Sequence, residues 1–112
     1  MVVYRQIEAV GAEPQYGNSG PPGWGFTLWN KSMDAEPHRR LLENFAARYP
    51  ECALDLPEYV PHEDCIEGTM IWQSQGIWIW YEAILTHLRL WSSDRAAIES
   101  LRAALLPLAQ AA

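Results

Sequence analysis

The sequence predicts an α+β domain: an antiparallel sheet of four to six strands with two helices packed on one face. Three observations predict it. Two runs rich in Ile, Trp and Tyr flank a short polar tetrad near the middle of the chain, two other stretches repeat apolar residues at helical spacing, and Gly- and Pro-rich segments punctuate the remainder. At 112 residues the chain holds one domain, residues 1–112, large enough for a single core. An apolar content of 49% and six Trp argue against disorder.

Taken in order, Val2 to Val10 alternates as a first strand, with Val3, Arg5 and Ile7 opposite Val2, Tyr4 and Gln6. Gly11 to Gly25 reads as a loop dense in turn formers, presenting Trp24 either to the core or to a partner, with the core favoured. Phe26 to Asn30 is a short second strand, antiparallel to the first. Asp34 is positioned as an N-cap, and Pro37 falls in a first helical turn, where its missing N–H costs nothing. Leu41, Leu42, Phe45, Ala46 and Tyr49 then form a helical stripe that Pro50 ends. Arg39, Arg40, Glu43 and Arg48 occupy the opposite face, and His38 is expected at the surface. Residues Glu51 to Asp64, broken by Pro57 and Pro61, form a connector with room for one short extended piece.

The chain is organised around Gly68 to Tyr81. If Gln73 to Gly76 form the loop, Trp72 lies opposite Ile77 and Met70 opposite Ile79. Alternation then puts Met70, Trp72, Ile77, Ile79 and Tyr81 on one face, and Ile71, Trp78 and Trp80 on the other. Ile77, Trp80, Tyr81, Ile84, Leu88 and Trp91 also fit a helix, but the unbroken β-branched and aromatic run from Ile77 to Tyr81 favours strands. Leu85 to Trp91 is a further strand, with Leu88 and Leu90 facing one way and His87, Arg89 and Trp91 the other. Ser92 or Ser93 caps a last helix, assisted by Asp94. Ala97, Ile98, Leu101, Leu105 and Leu108 are its buried stripe, and Pro107 limits it.

Charge excludes some functions. Glu51, Asp55, Glu58, Glu63, Asp64 and Glu67 lie in a stretch without Lys or Arg and equal the whole net charge of −6. Nothing forms a basic stripe, so nucleic acid is not an expected partner. No run approaches the ~18 apolar residues of a membrane span. Met1 to Glu8 lacks the basic start and apolar core of a signal peptide, so a cytoplasmic location is expected.

Chemistry-bearing patterns are weak. Cys52 and Cys65 are too few for a disulfide scaffold, and reduced thiols are expected, with a single bridge as the alternative in a secreted chain. His62-Glu63-Asp64-Cys65 with Cys52 has metal-ligand residue types, but Cys52 lacks the paired neighbour of structural zinc sites. A Cys65–His62 nucleophile pair lacks an orienting third group. Gly20 to Gly25 lacks the Lys and Ser/Thr of a phosphate loop. Neither catalysis, metal nor cofactor is therefore expected. What stands out is a set of outward residues, Trp78, Trp80, His87, Arg89 and Trp91, suited to cation–π stacking or an interface hot spot. The alternative is that these side chains only cover sheet surface. A buried Trp hides about 150–250 Å², a gross ~4–6 kcal/mol at roughly 25 cal/mol per Å².

Leu88-Arg89-Leu90-Trp91-Ser92-Ser93-Asp94 running into an Ala/Leu helix, within Gly68 to Asp94, resembles small acidic bacterial proteins, including immunity proteins of polymorphic-toxin systems. The resemblance implies a non-enzymatic role, binding a basic toxin domain through an acidic surface. The expected function is thus protein binding, with Glu58, Glu63, Asp64 and Glu67 steering a basic partner and the outward tryptophans supplying affinity. The alternatives are self-association over the outer sheet face, and a small-molecule binder or enzyme with a pocket between sheet and helices.

Overall fold

A computed structural model of the chain describes residues 4–13, 23–30, 36–58, 65–82 and 87–110. Strands β1 (Tyr4–Ile7), β2 (Gly11–Glu13) and β3 (Gly23–Asn30) precede helix α1 (Glu36–Arg48) and a 3-10 turn, Pro50–Cys52. Strands β4 (Cys65–Trp72), β5 (Gln75–Glu82) and β6 (His87–Ser92) then lead into helix α2 (Arg95–Gln110). All six strands join one antiparallel sheet in the order β1-β3-β6-β5-β4, with β2 also paired to β3. The fold is α+β, as the sequence predicts. Ile77 to Trp91 contributes strands at both ends, so the helical alternative fails.

One core draws on Phe26, Leu28, Ile66, Met70, Ile77, Ile79, Tyr81, Leu88 and Leu90 of the sheet, on Leu41, Leu42 and Phe45 of α1, and on Ile98, Leu101 and Leu105 of α2. These strand residues alternate along their strands, the pattern of a sheet with one side on the core. The hairpin joins β4 to β5 through two residues rather than four. Gln73 and Ser74 have φ of 52° and 65°, and Trp72 pairs with Gln75 and Met70 with Ile77. Positive φ at both central positions matches the twist of the strands, although neither residue favours it. The Trp72 indole N–H and the Gln73 amide both donate to Ser100 Oγ of α2, at 3.2 and 2.9 Å, which holds the turn in place. The pairing differs from the expected register by two residues, and a shift of two leaves every side chain on its expected face.

Other departures have local causes. The register slips between Tyr4 and Gln6, so Tyr4 and Ile7 both pack against the core where strict alternation puts them on opposite faces. Gly11–Glu13 pairs with Gly23–Gly25, making strand of both ends of the expected loop. A Cβ at Gly23 would lie 2.1 Å from the Ser92 carbonyl oxygen, so only glycine permits this approach of β3 to β6. Trp24 thus sits in β3, half-buried against the core, with the Arg95 guanidinium 4.7 Å from its ring centre. Asp94, not Ser92 or Ser93, caps α2: its Oδ1 accepts from the Ala97 N–H at 3.3 Å, while Ser92 Oγ accepts from the Asp94 N–H. The helix also continues through Pro107 to Gln110. The missing N–H would have bonded the Ala103 carbonyl, and both residues lie on the exposed side, where that carbonyl is open to solvent. The expected cap Asp34, the strand start at Val2 and Val3, and Leu85 lie outside the described residues.

Candidate functional site

Paired residues in a sheet point to the same side, so the register defines cross-strand rows on the face away from the core. One row runs Asp55–Thr69–Trp78–Trp91–Gly25. The next runs Glu67–Trp80–Arg89–Thr27, and the third Cys65–Glu82–His87–Trp29. The five aromatic and basic residues singled out from the sequence therefore share one patch of sheet. Glu67 lies beside them, directly opposite Trp80. Asp55 joins them because the connector after the 3-10 turn pairs with the free edge of β4. Asp55 N–H donates to the Thr69 carbonyl at 2.8 Å and Thr69 N–H to the Asp55 carbonyl at 3.0 Å. In the sequence Asp55 belongs to the acidic run, and nothing local places it beside β4. A bridge of one residue leaves no periodic signal.

Burial divides the set. Trp91 is 0% exposed and His87 2%, while Trp78, Trp80 and Arg89 are half-buried. Trp91 and His87 are therefore not surface contacts, which corrects their expected roles. The reason is crowding by row neighbours: Trp91 lies between Trp78 and Gly25, and His87 lies between Glu82 and the Trp29 indole. His87 packs edge-on against Trp29 with ring centres 5.2 Å apart, and the Trp29 N–H donates to Glu8 Oε2 at 2.8 Å. Burial, and then the neighbouring Arg89 charge, lower the His87 pKa from the usual imidazole range. The Trp80 N–H donates to Glu82 Oε2 at 3.4 Å.

A cleft of about 340 Å³ opens at the β4 edge of this patch. The Asp55–Pro57 connector forms one wall, Glu67 and Thr69 another, and Trp78 a third. Gly68 makes the shape possible, since a Cβ there would lie 2.6 Å from the Asp55 carbonyl oxygen and 2.7 Å from Leu56 Cδ2. Arg39 fixes the far end of the connector, donating through Nη2 to the Pro57 carbonyl at 3.0 Å. This arginine, expected on the solvent face of α1, is buried in order to do so. Asp55, Glu58, Glu67 and Thr69 are exposed, and Glu63 and Asp64 lie outside the described residues.

Other clefts among the described residues lie at the hairpin tip, around Ile71 and Glu51, and between the ends of the helices, around Tyr49 and Leu108. Cys52 is a buried free thiol and Cys65 an exposed one, and no cluster of three metal-ligand residue types occurs among the described residues. Comparison with protein-family models, with curated proteins and with solved structures finds no match for this chain.

Proposed function

We propose that this domain is a non-catalytic protein-binding module of the immunity-protein kind, which holds a basic protein such as a toxin domain against the outer β4–β5 surface. The observation that carries this reading is adjacency: Asp55 and Glu67 lie in the same cross-strand rows as the half-buried Trp78 and Trp80. Carboxylates raise the encounter rate with a cationic surface, and partly covered indoles have area left to bury once the partner arrives. Self-association through this face is disfavoured, because a two-fold contact would gather Asp55, Glu58 and Glu67 of both copies into one interface.

The test is kinetic. Binding is measured between the purified chain and candidate toxin domains encoded beside its gene, at low and high salt. The association rate is expected to fall on the order of tenfold with rising salt while dissociation changes little. Absence of binding, or an association rate indifferent to salt, refutes the reading. Sedimentation of the free chain at micromolar concentration is expected to give a monomer.

A further inference from the structure

We propose that the cleft between the connector and β4 is an anchor site for one arginine side chain of the partner, its guanidinium stacked on Trp78 and paired with Asp55 and Glu67. This rests on the preceding reading of the face and names the chemical group that the face recognises.

The rows of the sheet carry the argument. In the row Glu67–Trp80–Arg89 the chain supplies an acid, an indole and a cation of its own in successive strands. The neighbouring row, Asp55–Thr69–Trp78–Trp91, supplies an acid and an indole and no cation. Between its acid and its indole lies Thr69, a short side chain, and there the surface is indented by about 340 Å³. Among the described residues no ion pair involves Asp55 or Glu67. The cleft therefore has an indole in its wall, two carboxylate residues from different segments and space for a side chain.

Arginine fits these walls better than lysine does. Its planar guanidinium stacks on an indole face and still presents N–H groups at its edge to two separate carboxylates, whereas an ammonium is a strongly hydrated point charge. The walls are also held before a ligand arrives. The paired hydrogen bonds of Asp55 with Thr69 and the Arg39 bond to the Pro57 carbonyl fix the connector, so little ordering is needed on binding.

The experiment uses N-acetyl-arginine amide as the probe and the indole N–H and backbone amide NMR signals of the full chain as the readout. The Trp78 indole and the Gly68 and Thr69 amides are expected to shift saturably. The lysine analogue should bind more weakly, and the isosteric but uncharged citrulline analogue should leave these signals in place. Asp55→Asn and Glu67→Gln are each expected to weaken arginine binding about threefold, and their surface position leaves the fold intact. Equal shifts with citrulline, or shifts spread over all six indoles without saturation, overturn the proposal. So does arginine binding that the two carboxylate variants leave unchanged. Because the probe is a small molecule, these outcomes are independent of the salt experiment: a partner that binds while the probe does not leaves the protein-binding reading standing and removes the arginine anchor.

Discussion

Acid should destabilise this protein through its buried imidazoles, His38 above all. His38 is 0% exposed, its Nδ1 sharing a 2.8 Å hydrogen bond with the Tyr4 hydroxyl and its ring centre 4.6 Å from that of Tyr81. Burial, reinforced by nearby His87, lowers its pKa from 6.5 to about 3. Between those values the unfolded chain takes up a proton that the folded chain refuses. Stability is therefore full above about pH 6.5 and is lost as pH falls toward 3. Each pH unit in that window removes ~1.4 kcal/mol, so the whole window removes roughly 5 kcal/mol. A domain of this size is stable by only about 5–15 kcal/mol. The assay is urea unfolding, followed by tryptophan fluorescence, at a series of pH values. The wild type is compared with His38→Leu/Tyr4→Phe, which removes the imidazole without stranding the phenol. The variant should lose stability with falling pH less steeply, by about the ~1.4 kcal/mol per unit that one proton represents. Parallel losses in the two proteins, or an NMR titration of His38 in the folded wild type near 6.5, would refute the reasoning.

Two further predictions concern stability. Trp91→Ala should cost about 3–5 kcal/mol in urea unfolding, the range for emptying a closed aromatic site, and Trp78→Ala on the order of 1–2 kcal/mol, because Trp78 is half-buried. Equal costs would mean that the two rings are equally enclosed. Asp94→Ala should lower stability by ~1 kcal/mol, since Asp94 Oδ1 caps α2, while Ser93→Ala should change it little; the reverse order would place the cap one residue earlier.

The side-chain faces of the sheet were legible from residues alone. Alternation with a period of two is local, so Met70, Ile77, Ile79 and Tyr81 separate from Trp78 and Trp80 whatever the strands pair with, and even a wrong loop length preserved the split. The stripes of α1 and α2 were legible for the same reason, with a period near 3.6. The acidic run and the outward tryptophans could likewise be named from sequence, but not which of them meet.

Tertiary structure decided the rest, because burial and register depend on what lies opposite a residue rather than on its chain neighbours. A hydrogen-bonding Ser100 on α2 holds a two-residue turn at Gln73-Ser74 that no glycine or asparagine advertises. A slip in β1 brings Tyr4 onto His38, turning an expected surface histidine into a buried one. Cross-strand neighbours crowd Trp91 and His87, while the edge place of β4 leaves Trp78 beside Asp55 and Glu67 at an open cleft. Each of these joins segments far apart in the chain, and a contact of that kind leaves no mark on local periodicity.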